Sequence, residues 1–403
     1  MLWPSWRADR VLSGEIKTDL SAFDSHYRIC YNHIKIAKGS EKMTYLLMNK
    51  DTPWLLFSCE HDEFGEIRLK ELEWFTELRP LGYADLFSFL DIRKAPKHRK
   101  HIEQLLERYG CTELDGFIRV THAVSLNDTF WVREETSTLK WADVSLYSNP
   151  FDEIIANAAF DGAISDTDFS SISPEFGTDG SYAKCWVREA DEIFLCKSGS
   201  SAFVIEPLSE YLASQLAEII CKKYVPYDMD FLHGRLVSKC RLFTDEHMGL
   251  VKAGRVITGG KSIASLLGFF ENIGSGDDFR RMCIFDSLIL NIDRHLGNFG
   301  VLADNDTMNI IEMAPVFDNN RSLCFDLDND QLKNVDWYLK KLRPSVGSDF
   351  IATARGLLTD DIRTELKNLK GFAFRQHPGI SVDQKRLDLL SGIVNRQIRE
   401  ILA

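Results

Sequence analysis

No run in the sequence reaches the roughly 18 uninterrupted apolar residues that a membrane-spanning helix needs, so no membrane partner is expected. None of the nine cysteines forms a CxxC pair, and their number is odd. A zinc site or disulfide scaffold would need tighter clustering, so buried free thiols are the expectation. Positive charge is also short: 48 Lys and Arg face 60 Asp and Glu, a formal net charge of −12. Such a surface repels a phosphate backbone, which argues against direct nucleic-acid binding. Met1 to Arg10 carries charge at Arg7, Asp9 and Arg10 without an apolar core, unlike a secretory signal; a cytoplasmic protein is expected. No internal repeat is visible.

What is present is ordinary globular material, 403 residues with 44% hydrophobic, 11% aromatic and 27% charged content, long enough for two domains. In the first third, Thr44 to Met48 and Trp54 to Ser58 flank Asn49, Lys50 and Asp51, the pattern of a hairpin. Glu71 to Leu78 and His101 to Tyr109 carry helical spacing, and Thr129 to Val132 reads as a strand. The basic run Arg93 to Lys100 reads as the solvated start of the second of these helices. A helix is expected from Asp152 to Phe160. This first unit is too small to bury a large core alone and should pack against the β-rich region C-terminal to it.

The stretch 161–181 is dense in Asp, Ser and Gly and marks a loop or boundary. Strands are expected over Tyr182 to Val187, Ile193 to Lys197 and Leu236 to Phe243, with a helix carrying Leu208, Leu212, Leu216 and Ile220 between the last two. Seven glycines between Gly249 and Gly276 suggest mobility. Helical spacing returns over Phe279 to Ile292, Asp360 to Leu369 and Val382 to Leu402. The expected fold is α+β and bilobal, with an accessory unit over 1–160, a β-rich upper lobe over 161–245 and a helical lower lobe over 246–403.

The informative segment is Asn291-Ile292-Asp293-Arg294-His295-Leu296-Gly297-Asn298. Phosphoryl transfer needs a carboxylate to orient the incoming hydroxyl and a metal ligand beside it. Asp293 and Asn298 stand five positions apart, the interval between catalytic Asp and metal-binding Asn in protein kinases. Asp318, after the apolar Val316-Phe317, suits a second oxygen ligand for magnesium, although Asn319 and Asn320 follow where a kinase has Phe and Gly. His295 could brace the loop through a neighbouring backbone group or an Asp. Lys197 ends a strand and could reach ATP phosphates, with Glu210 on the following helix as its ion-pair partner and Glu206 as the alternative. Gly177, Thr178, Asp179, Gly180 and Ser181, followed by Lys184, form a loop whose N–H groups could cover phosphates. Singly, each residue has a commonplace reading as a cap, a turn or a surface charge; their joint order points to one purpose.

The segment NIDRHLGN with Phe317-Asp318 resembles the catalytic core of the HipA-like serine/threonine kinases, known as toxins of bacterial toxin–antitoxin pairs. The resemblance extends through Thr178-Asp179-Gly180, Lys184, Lys197, Ser209-Glu210-Tyr211 and Lys239 to Thr244. Leu126 to Val132 resembles an N-terminal segment of Firmicute and phage-associated relatives. The resemblance implies a kinase-like fold using ATP and magnesium, with Asp293 as base, Asn298 and Asp318 as metal ligands, and Lys197 at the nucleotide. It also implies a protein substrate and a DNA-binding antitoxin partner. The family's autophosphorylated serine falls on Gly177 here, so inhibitory autophosphorylation is expected to be absent or moved to Thr178 or Ser181. Phosphorylation of a lipid or small molecule on the same scaffold, or a catalytically silent nucleotide-binding module, are the alternatives.

Overall fold

Strand β1 (Met43–Asn49) shows how this fold begins, because both of its faces are apolar. With period two, Tyr45 and Leu47 enter one core while Leu46 and Met48 enter another. It pairs antiparallel with β2 (Thr52–His61) through a turn at Lys50, whose φ is 48°, so the expected hairpin forms. The computed structural model describes residues 43–96, 101–162, 173–179, 182–200 and 205–403, all within one compact unit. Gly180, Ser181, the charged run after Ala95 from 97 to 100, and Met1 to Arg10 lie outside the described residues.

Two further strands complete the first sheet, β3 (Ile67–Trp74) and β4 (Phe130–Glu134), in the order β3-β2-β1-β4. The helix expected over Glu71 to Leu78 is therefore not there. Leu72, Phe75 and Leu78 have helical spacing, yet they are 40%, 47% and 43% exposed and mark no buried stripe. Pairing with β2 satisfies the backbone instead, with Leu69 opposite Cys59 and Trp74 opposite Leu55. Five helices accompany this sheet: α1 (Leu86–Asp91), α2 (Ile102–Arg108), α3 (Leu114–Thr121), α4 (Trp141–Val144) and α5 (Glu153–Asp161). The last starts at the expected place because the Asp152 carboxylate accepts from the N–H of Ile155.

Contrary to the sequence expectation, this region has a core of its own, built around Leu55, Phe57, Phe117 and Phe130. A second cluster carries it onto the next sheet, joining Leu46, Trp131 and Trp141 to Ile193. Arg93 is also corrected, since it is buried rather than solvated. Its guanidinium donates to both carboxylate oxygens of Asp128 at 2.7 and 2.9 Å and to the carbonyls of Ala123 and Phe130. A planar fork satisfied on all sides is a pin between α1 and β4.

The second sheet is β5 (Lys184–Glu189), β6 (Glu192–Ser198), β7 (Tyr227–Leu232) and β8 (Arg235–Arg241), ordered β5-β6-β8-β7. Helix α6 (Ile205–Ile220) packs against its β7–β8 side and enters the main core through Leu212, Leu216 and Ile220. The third sheet is β11-β10-β9, from β9 (Met248–Lys252), β10 (Gly300–Asp304) and β11 (Ile310–Met313). Between β9 and β10 run α7 (Ala253–Val256), α8 (Ile263–Asn272) and α9 (Gly276–Ile289). The glycine-rich stretch contains one strand, β9, and two helices, α7 and α8. At Gly249 a Cβ would stand 2.6 Å from the carbonyl oxygen of Asn127, so close approach, not freedom, demands that glycine.

The remaining helices are α10 (Asn329–Lys333), α11 (Asp336–Leu339), α12 (Phe350–Leu357), α13 (Asp360–Asn368) and α14 (Gln384–Leu402). Of these, α12 and α14 pack on α9, whose Phe279, Met282, Phe285 and Leu288 are buried, while α10 and α13 pack on α14. The result is a mixed α+β fold, with an N-terminal sheet subdomain and a helical C-terminal region in a bilobal, kinase-like arrangement. Eight cysteines among the described residues are free and buried, as expected.

Candidate functional site

The period-two alternation of β6 sends Cys196 into a small core and turns Lys197 to the opposite face. That face borders a cavity of about 390 Å³ between the second sheet and the helical region. Lys184 stands directly across from Lys197 on β5 and lines the same cavity.

The Lys197 ammonium donates to Glu210 Oε1 at 2.7 Å and Asp318 Oδ1 at 3.0 Å, and lies 5.1 Å from the ring centre of Tyr227. The partner is thus Glu210. Glu206, the alternative, accepts from the N–H of Ser200. Ser238 donates to the other oxygen of Glu210, fixing the carboxylate from both sides. Burial works against the charge on Lys197, but Asp318 and Glu210 hold its pKa well above the ordinary value. Burial likewise pushes Glu210 up, with Lys197 opposing. For Asp318 burial is outweighed by Lys197, Lys184 and Arg294, and its carboxyl is held at about 2.

Helix α9 stops short of the expected Ile292, because Leu290, with φ of 56°, turns the chain left-handed. The next residues form a hydrogen-bonded loop. Asn291 accepts from the N–H of Asp293 at 2.9 Å, and Asn298 Nδ2 donates to the Asp293 carbonyl at 2.8 Å. His295 Nδ1 accepts from the N–H of Gly297, so the histidine braces a neighbouring backbone group as anticipated. Burial raises the pKa of the Asp293 carboxyl, while Arg321 and His295 pull it back. The backbone N–H of Asp318 donates to the Tyr227 hydroxyl at 3.0 Å, holding a residue with φ of 56°.

Sequence reasoning missed what ties these two loops together. Arg294 is buried and pairs with Asp286 of α9 at 3.0 Å. The same guanidinium donates to the carbonyls of Asn298 and Phe317 and to Asn319 Oδ1. One side chain therefore sets the Asp293–Asn298 loop against the residue before Asp318. Its place beside Asp293 was visible; its partners are 4 to 25 residues away and were not.

The loop residues fare unevenly. Gly177 closes a single 3₁₀ turn, Pro174–Gly177, where a Cβ would meet the Arg93 carbonyl oxygen at 2.9 Å; packing explains that glycine. Thr178 donates to the Pro174 carbonyl and accepts from Trp186 Nε1. Lys184 donates to the Asp179 carbonyl at 2.7 Å, and Lys252 of β9 pairs with the Asp179 carboxylate across the cavity. The N-terminal region, unassigned from sequence, supplies Leu126 and Asn127 to the cavity wall. Their carbonyls accept from Thr244 Oγ1 at 2.5 Å and the Leu250 N–H at 2.7 Å. Leu126, Leu195, Leu242 and Phe243 give the cavity the apolar part of its lining.

Among the described residues no cluster of three or more His, Cys, Asp or Glu could hold a metal ion alone. Asp318 and the Asn298 amide oxygen offer the sparse hard-oxygen set that suits magnesium shared with phosphates. Arg321, a further cavity residue missed from sequence, stands 3.9 Å from Asp293 Oδ2.

No protein-family model matches the sequence, and no curated protein matches it. Among solved structures, HipA from the Shewanella oneidensis MR-1 toxin–antitoxin complex of HipA, HipB and operator DNA aligns with a TM-score of 0.51. The identity is 12%, covering 89% of this chain and 96% of that one. The Helicobacter pylori proinflammatory kinase CtkA aligns at a TM-score of 0.41 and 16% identity, over 54% of this chain and 91% of that one. The chain is thus similar in fold, at low identity, to the HipA of that complex.

Proposed function

We propose that this protein transfers the γ-phosphate of ATP to a serine or threonine hydroxyl of a protein substrate. The observation that carries the reading is convergence: Lys197, Asp293, Asn298 and Asp318 line one cavity, and Glu210 pairs with the lysine behind them. In this reading the adenine lies against the apolar part of the lining and the phosphates lie toward Lys197 and Lys184, beneath the loop that begins at Gly177. Asp293 orients the acceptor hydroxyl and takes its proton, a role favoured by a carboxyl whose pKa is raised. Asp318 and Asn298 would hold magnesium, which supplies positive charge at the phosphates. Arg294 and His295 keep the loop that presents Asp293 in register.

The units 1–160, 161–245 and 246–403 serve here as accessory unit, upper lobe and lower lobe of a cytoplasmic enzyme. A DNA-binding antitoxin partner is part of the same proposal, suggested by the HipB and operator DNA in the Shewanella complex. The test is a pair of measurements on wild type and D293N. Both should bind ATP with magnesium equally by calorimetry, and only wild type should turn it over. Equal turnover would remove Asp293 from the mechanism; no ATP binding by wild type would remove the proposal.

A further inference from the structure

Five described cations line the cavity, and four of them already have close partners. Lys197 is held by two carboxylates, Lys184 by the Asp179 carbonyl, Lys252 by the Asp179 carboxylate and Arg241 by Glu192 at 2.9 Å. Arg321 differs. Among the described residues its guanidinium makes one hydrogen bond, from Nε to the Tyr182 hydroxyl at 3.5 Å. Its approach to Asp293 is long, 3.9 Å, and its side chain is 40% exposed. A guanidinium carries five N–H donors, so most of this fork is uncommitted.

The contrast with Arg294 is instructive, since that side chain is buried and spends its donors on Asp286, Asn319 and two carbonyls. Arg321 is nevertheless well placed. Its carbonyl accepts from the N–H of Ile292 at 3.3 Å, anchoring its backbone beside Asp293. It follows Asp318 by three residues, and its guanidinium lies 5.9 Å from the ring centre of Tyr182, which precedes β5. Arg321 is thus a cation next to both Asp293 and Tyr182 in the lining of the cavity that also holds Lys197, Asn298 and Asp318.

We propose that Arg321 binds the terminal phosphate of the nucleotide and, with Tyr182 steadying it, distinguishes the triphosphate from the diphosphate. This rests on the ATP-dependent reading above. Planar, charge-assisted N–H donors match phosphate oxygens, and an arginine at the transferred group stabilises the charge there. On ligand binding the fork turns from its long contact with Asp293 to the γ-phosphate, and Asp293 is released to meet the acceptor hydroxyl.

Calorimetry with the β,γ-imido analogue of ATP and with ADP, each with magnesium, tests this on wild type, R321Q and R321K. R321Q should lose roughly ten- to hundredfold affinity for the triphosphate analogue, the worth of a charged hydrogen bond, while its ADP affinity stays within about twofold. R321K should recover part of the loss as a point charge without the fork. An unchanged triphosphate-to-diphosphate ratio in R321Q, in protein whose thermal midpoint matches wild type, overturns the inference alone. Wild type that binds neither nucleotide overturns this inference and the ATP-dependent reading together.

Discussion

Replacing Lys197 with Met would leave two carboxylates facing a neutral side chain, and the structure says which one suffers. The Glu210 side chain is 1% exposed, whereas that of Asp318 is 24% exposed and can reach water. Removing one partner of a buried pair costs about 3–5 kcal/mol, because the remaining charge is stranded. Most of that cost should come from Glu210. E210Q is milder: Lys197 keeps Asp318 at 3.0 Å and Ser238 still has an acceptor, so the loss should be roughly 1–3 kcal/mol. The double variant K197M/E210Q removes the stranded charge and should be more stable than K197M alone. Thermal unfolding of the four proteins by circular dichroism completes the cycle. If K197M unfolds with wild type, or the double variant is no better than K197M, Glu210 is not a buried partner of Lys197.

R93A should cost about 3–5 kcal/mol through loss of the buried fork on Asp128, and R93K should not restore it, which thermal midpoints would show. G300A should cost about 1–3 kcal/mol by overpacking, since its Cβ would stand 2.2 Å from the Val251 carbonyl oxygen on β9. G356A, with open space in α12, should be neutral or stabilising, and equal midpoints for the two would deny the close β9–β10 contact. Asp318, with its carboxyl lowered to about 2, contributes stability that is complete above its unfolded-state pKa and lost as pH falls through 2. The stability gap between wild type and D318N should therefore close on acidification from about pH 5 to pH 2; a constant gap would refute the assignment.

Local signals account for most of what the sequence revealed. Lys197 and Glu210 were readable because one sits at the end of an alternating run and the other on a helix with regular apolar spacing. The interval from Asp293 to Asn298 lies within one short loop. What stayed hidden depends on distant partners: Arg93 on Asp128, Arg294 on Asp286 and Phe317, Arg321 on Tyr182. Strand β7, YDMDFL, escaped because its acidic residues break the apolar run, and only pairing with β8 defines it. The helical misreading of Glu71 to Leu78 arose from three spaced apolar residues that the fold leaves exposed. Gly249 suggested mobility and Gly177 a phosphate-covering loop; in the structure both also let carbonyls approach closely.

The central claim is phosphate transfer to protein, and labelled ATP with magnesium in a proteome extract tests it most directly, with wild type beside D293N. A discrete labelled protein, phosphorylated on serine or threonine and present only with wild type, is the predicted result. Wild type that binds ATP but labels no protein beyond the D293N background would contradict it.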